Sequence, residues 1–361
     1  MSSPSDPPKP RAWIGQVALA AIVLAMFGAV AALWQIDPWG EQGNRLSERF
    51  DYDLETYTKV DPAIILYRQT AEFAVPLEEP RAIAIGPGDS AYVAGDQAIV
   101  SFGRDGMKAS QIELEEPPRC LAVARSGAPG LIYVGMKGHV EVYDAQGSRQ
   151  ASWPRLGDKA QLTSIALGES DVFAADAGSR IVWRYDPDGK LLGQIGKRDE
   201  DRHIPGFVVP SPYFDLAITP DGLVRVANPG RHSIEGYTPE GHLEVVWGKP
   251  SLGIEGFCGC CNTANFALLA DGSFVTAEKG IPRIKVYDPE GKFEGVVASP
   301  EVLAPTATIA EETRTDHKLA VFDVATDSQG RVLVLDPSGR RVRVFERLDR
   351  SGETKAETKH E

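Results

Sequence analysis

From residue 80 to residue 345 the chain alternates short apolar runs with polar turns. The runs are of strand length, as in VFAAD at 172–176 and VLVLD at 332–336. The turns carry Asp-Gly and Pro-Asp-Gly, in which proline presets φ and glycine accepts positive φ. One stretch breaks the alternation. Residues 13–36, WIGQVALAAIVLAMFGAVAALWQI, contain no charged residue.

The alternation repeats. An aromatic residue, two or three polar residues and a glycine recur as FGRDG at 102–106, YDAQG at 143–147, YDPDG at 185–189, YTPEG at 237–241 and YDPEG at 287–291. Phe345 ends a sixth, imperfect copy. The aromatics are spaced by 41, 42, 52, 50 and 58 residues. Ahead of most copies stands an apolar run closed by a polar-glycine turn, such as LAITPDG at 216–222 and VATDSQG at 324–330. Each unit therefore reads as four short strands. A lone four-stranded unit leaves its hydrophobic faces bare, so the units must stack in a ring. Inner strands fall near Ala82, Leu121, Ile165, Leu216, Ala267 and Val324, which predicts a six-bladed β-propeller. The sixth unit lacks an outer strand, and residues 64–75 are expected to supply it and close the ring.

Residues 215–248, DLAITPDGLVRVANPGRHSIEGYTPEGHLEVVWG, resemble an NHL repeat, as do 164–196 and 266–297. The resemblance covers most of the chain after residue 60. It implies the all-β propeller fold, and it spans lyases, receptor sensor domains and protein- or RNA-binding scaffolds. NHL-like lyases and related lactonase propellers place metal ligands around the central channel. Nothing here matches those ligand sets residue by residue.

Residues 13–36 span roughly 36 Å as a helix, enough to cross a bilayer. Trp13, Trp34 and Trp39 fall near the ends, where indoles favour the interface. Lys9 and Arg11 precede the stretch; Asp37 and Glu41 follow it. The positive-inside rule then places the N-terminus in the cytoplasm and the rest outside, in the periplasm of a Gram-negative cell. A signal peptide cleaved near AVA at 29–31 is the competing reading, and it too exports the propeller. The expected organisation is a cytoplasmic polar tail at 1–12, a transmembrane anchor at 13–36, a linker at 37–62, the propeller at 63–348 and a disordered tail at 349–361. The net charge of −13 over 361 residues argues against a nucleic-acid partner.

Strand alternation gives the ring two unlike faces. Turns between first and second strands, and between third and fourth, lie on one face. Connections between second and third strands, and from blade to blade, lie on the other. The extra length in the last three spacings falls in blade-to-blade loops near 197–212, 249–264 and 299–319, and one-sided insertions mark a binding face. The same face takes all four cysteines, as well as His139, His203, His232 and His317. Three thiols in CGCCN at 258–262 leave three readings open. One is a soft transition-metal or cluster site on Cys258, Cys260 and Cys261, completed by Cys120, His317 or His203. The second is a disulfide. The third is small buried residues packing at the channel mouth. No Cys-x-x-Cys-His segment for c-type haem is present.

His139, His232, Asp215, Asn262 and Asp323 complete the expected binding face. Asp215 and Asp323 open inner strands and are placed to point into the channel. Asp176, Glu278 and Asp336 end second strands and are expected to cap turns. No Gly-x-Ser-x-Gly, P-loop or His-Glu-x-x-His segment occurs. The expected function is a membrane-anchored extracytoplasmic binding module. It would serve a redox or metal-handling membrane complex, with a protein partner in or near the membrane. The reading leans away from an enzyme. The alternatives are a metal-dependent lyase or hydrolase on the same face, and a sensor or scaffold held by a structural disulfide.

Overall fold

Each polar turn closes a hairpin, and the hairpins assemble as the pattern predicts. The computed structural model describes residues 57–125, 130–202, 204–259, 261–304 and 321–348. Strand β1 (Tyr67–Ala74) comes first. Blade one is β2–β5 (Pro80–Ile85, Ala91–Gly95, Ala98–Phe102, Lys108–Glu113), and blade two is β6–β9 (Cys120–Val123, Ile132–Gly135, Val140–Tyr143, Arg149–Ser152). Blade three is β10–β13 (Leu162–Leu167, Val172–Asp176, Ile181–Tyr185, Leu191–Ile195), and blade four is β14–β17 (Leu216–Ile218, Val224–Asn228, Ser233–Tyr237, Leu243–Trp247). Blade five is β18–β21 (Asn265–Leu268, Phe274–Ala277, Ile284–Tyr287, Phe293–Ala298). Blade six takes β22–β24 (Asp323–Thr326, Val332–Asp336, Arg341–Arg347) and adds β1 as its outer strand. The pairing is antiparallel, from Tyr67 opposite Arg347 to Ala74 opposite Arg341. The ring thus closes on the segment the sequence singles out.

The repeated phrase has a physical job. Its aromatic is buried in every blade, and Tyr237 and Phe345 are 0% and 1% exposed. In blades two, three and five an aspartate follows it and caps the turn: in blade five, Asp288 Oδ1 accepts from the N–H groups of Glu290 and Lys292 at 3.1 and 2.8 Å. Gly291 completes this turn at φ +84°, and a Cβ there would lie 2.3 Å from the Trp247 ring on the outer strand of blade four. The outer strand of one blade therefore packs on the turn of the next.

Six apolar clusters fill the six interfaces between blades. Near the axis the wedge is narrowest, and there each inner strand carries an alanine: Ala84, Ala122, Ala166, Ala217, Ala267 and Ala325. Each packs into the interface with the following blade. A larger side chain at these positions would spread the ring.

The long loops are built into the ring. Ile204, Phe207 and Val209 of the 197–212 loop join the core between blades three and four. Among the described residues no helix is long and apolar enough to cross a membrane. The predicted anchor at 13–36 lies outside the described residues.

The turn packing makes a quantitative prediction. Gly291→Ala meets both positive φ and the Trp247 ring, and should cost on the order of 2–4 kcal/mol. Gly222→Ala, at φ +80° with nothing within 4 Å, should cost on the order of 1 kcal/mol. Urea unfolding of the two variants measures the difference; equal losses would remove Trp247 from the account.

Candidate functional site

The inner edge of each first strand has no strand beside it, so its backbone groups need other partners. Side chains from neighbouring blades supply many of them. The residue two before each axial alanine is Ala82, Cys120, Ser164, Asp215, Asn265 or Asp323, one per blade. Asp215 accepts from Leu216 N–H at 2.9 Å and, across the interface, from Phe266 N–H at 2.7 Å. Asp323 accepts from Val324 N–H at 2.9 Å and from Ile83 N–H of blade one at 2.8 Å. Asn265 donates to Phe322 O at 2.9 Å. These contacts staple blade to blade at the mouth on the long-loop face. At the opposite mouth Arg125 donates to Ile85 O at 3.2 Å and Thr326 O at 2.7 Å, joining blade two to blades one and six.

A cavity of about 930 Å³ runs along the axis, lined by all six inner strands. Its charged lining residues are Arg81, Arg119, Arg125, Glu169, Asp171, Asp215 and Asp323. Burial raises the Asp215 carboxyl to about 6, although Ser164 and the N–H groups of Phe266 and Leu216 pull it down. Burial, then the charge of Asp215, raises Asp323 to about 7. Burial also pushes the Cys120 thiol far above its usual range. Two carboxyls of this kind can hold or release protons near neutrality.

The CGCCN loop is a separate construction. Asn262 donates to Cys258 O at 2.7 Å and Lys279 O at 2.9 Å, and accepts from Lys279 N–H at 3.0 Å. His232 Nε2 lies 2.8 Å from Gly259 O. Beneath the loop, Glu278 pairs with Arg283 at 2.7 Å and Lys285 at 3.1 Å, all three buried. Lys285 donates to Ile254 O at 3.0 Å and Gly256 O at 2.7 Å, and lies over the Phe257 ring. Burial lowers Lys285 to about 8, with Glu278 opposing. Burial and then Glu278 raise the Cys258 thiol. Ser211 Oγ donates to Cys261 Sγ at 3.5 Å, and Lys279 Nζ donates to Ser211 at 2.7 Å.

The predicted residues therefore divide. Asp215, Asp323 and Cys120 meet at the cavity. Cys258, Cys261, Asn262 and His232 meet at the blade-five loop. His139 is buried beside Glu141 at 3.4 Å and presents no open surface. Cys260, His203 and His317 lie outside the described residues. One of the three cysteine readings is corrected: Cys120 and Cys258 are free thiols, so the disulfide reading fails for both. Cys120 lines the cavity wall, and Cys258 lies beside the Glu278–Arg283–Lys285 cluster. Among the described residues no three His, Cys, Asp or Glu side chains group as a metal site requires. Asp215 and Asp323 instead hold two backbone N–H groups each. Asp176 caps its turn as expected, accepting from Gly178 and Ser179 N–H. Glu278 does not; its place in an ion-pair cluster answers to Arg283 and Lys285, which the sequence pattern passes over. Arg119 and Arg125 are likewise missed, although both flank an inner strand where a charge is unusual.

No protein-family model matches the sequence, and no curated protein matches it. Solved structures share the fold. A streptogramin B lyase aligns with a TM-score of 0.51 and 12% identity over 80% of this chain and 100% of its own. A catalytically inactive virginiamycin B lyase from Staphylococcus aureus, with quinupristin, gives 0.51 and 12% over 77% and 99%. A Bacteroides thetaiotaomicron protein of unknown function gives 0.52 and 15% over 78% and 75%. At such identities the likeness shows the fold alone.

The buried carboxyls predict a pH dependence. Their folded pKa values lie above the unfolded value of 3.8, so the folded state binds more protons between the two. Their contribution to stability is full below about pH 4 and is lost as pH rises through about 6 and 7. Denaturant unfolding from pH 5 to 8 should show this decline, and Asp323→Asn should flatten its upper part. An unchanged slope in that variant would contradict the assignment.

Proposed function

We propose that this chain is a membrane-anchored, extracytoplasmic propeller of the NHL type that acts as a binding module, with the axial cavity as its ligand site. The observation that carries the reading is the cavity itself. About 930 Å³ is within the range of small-molecule sites, and six strand edges offer it backbone donors and acceptors. The charge-free residues 13–36 support the anchor, and the repeated turn phrases support the NHL type. A protein partner in or near the membrane would meet the long-loop face, where Val208, Leu252 and Val302 are exposed, one in each long loop. The cysteines enter this reading as loop and wall residues, and a redox or metal-handling role gains no support from Cys120 and Cys258.

The second reading is a lyase. Two neighbours in fold are a streptogramin B lyase and a virginiamycin B lyase, and Asp215 and Asp323 have the raised carboxyl pKa values that acid–base work uses.

A fragment library tested against the full-length protein by hydrogen exchange separates these readings. Binders should protect inner-strand amides such as those of Asp215 and Ala217. Protection confined to outer strands would move the site off the axis. Quinupristin incubated with the protein should be recovered chromatographically unchanged; conversion abolished by Asp215→Asn would favour the lyase.

A further inference from the structure

Strand β6 is flanked by two arginines that line the axial cavity, and they are not equivalent. Arg125 is engaged at the far mouth, where its guanidinium donates to Ile85 O and Thr326 O. Arg119, at the mouth on the long-loop face, is half-buried and has no side-chain hydrogen bond or ion pair among the described residues. Its backbone N–H is fixed to Gly135 O at 2.7 Å, so the residue is anchored while its guanidinium is unopposed. The nearest acid acting on it, Glu79, is bonded to Arg81 at 2.5 Å. Arg81 adds a second positive charge at the same mouth. Burial and this neighbour both disfavour the charge on Arg119. Asp215 and Asp323 do not relieve it, because each carboxylate is taken by two backbone N–H groups and neither pairs with either arginine.

A half-buried guanidinium with no acid paired to it among the described residues is stabilised by an arriving anion, and its planar fork matches a carboxylate in two parallel hydrogen bonds. A phosphate offers the same oxygens but brings a second charge toward Asp215 and Asp323. We propose that Arg119 anchors an anion subsite at the long-loop mouth of the cavity, and that the ligand is a small molecule bearing a carboxylate. The proposal rests on the reading of the cavity as the ligand site.

The test uses the full-length protein in detergent and ligand-observed ¹⁹F NMR. The probes are 4-fluorobenzoate and 4-fluorobenzylammonium, with inorganic phosphate as competitor. Arg119→Gln is compared with Arg119→Lys and with Arg104→Gln, a control in the β4–β5 turn, and melting temperatures report on folding. The expected result is that 4-fluorobenzoate binds, that Arg119→Gln weakens it at least tenfold, that Arg119→Lys restores part of the loss, and that Arg104→Gln has no effect. Phosphate should compete weakly. Unchanged binding in Arg119→Gln, or strong displacement by phosphate, would overturn the carboxylate subsite. If the ammonium probe alone binds and protects inner-strand amides, the cavity reading stands and the anion inference fails. If neither probe binds, both fall.

Discussion

Everything in this molecule depends on the pairing of β1 with β24. The C-terminal unit supplies only three strands to blade six, and a three-stranded last blade would leave its third strand without a partner along one edge. Residues 67–74 fill that edge in seven paired positions, with one irregularity between Gln69 and Ala71. Closure by a strand from the other end of the chain ties ring assembly to the ends meeting, which is a long-range and slow requirement. Once it is met, each blade is wedged between two others, and each inner strand sets an alanine into the interface with the following blade.

The closed ring also creates the demand that shapes the site. Six inner strands turn unpaired edges toward the axis, and buried backbone groups must find partners. Asp215, Asn265, Asp323, Thr163 and Arg125 answer part of that demand by reaching to the next blade or beyond. Their first role is therefore structural. A second recurring device holds the long loops. The residue two before the third-strand aromatic is Lys285 in blade five and Arg343 in blade six, and both donate to loop carbonyls while pairing with an acid at the end of the second strand. The same two positions are Glu235 and Asn228 in blade four, joined at 2.7 Å. This position clamps the loop in blades five and six, whereas in blade four Asn228 holds it, accepting from Val208 N–H at 2.9 Å. The irregular face is the product of the same strand register that makes the regular one.

Much of this was legible in the sequence. The turn phrases announce the strands because aspartate caps and glycine at positive φ are local chemistry. The blade count and the closing strand follow from periodicity. The sidedness of the loops follows from strand alternation. The site was legible only in part. Asp215 and Asp323 could be placed at the channel, but their hydrogen bonds cross between blades and involve backbone groups that no side-chain pattern encodes. The six axial alanines stand in plain sight, yet alanine is too common to attract notice without the wedge geometry. The CGCCN loop drew attention to thiols, whereas the side chains that fix it are Asn262 within the loop and Arg283 and Lys285 at the third strand of blade five. Arg119 looks ordinary in sequence; among the described residues no acid pairs with its side chain, which only the fold reveals.

We propose the axial cavity as the working site of the closed ring. A crystal structure of the protein purified from its native cells and kept with its endogenous small molecules tests this. Difference density is expected inside the axial cavity, in contact with the guanidinium of Arg119 and the inner-strand edges. Ordered density confined to the outer surface of the long loops, with only solvent along the axis, would contradict it.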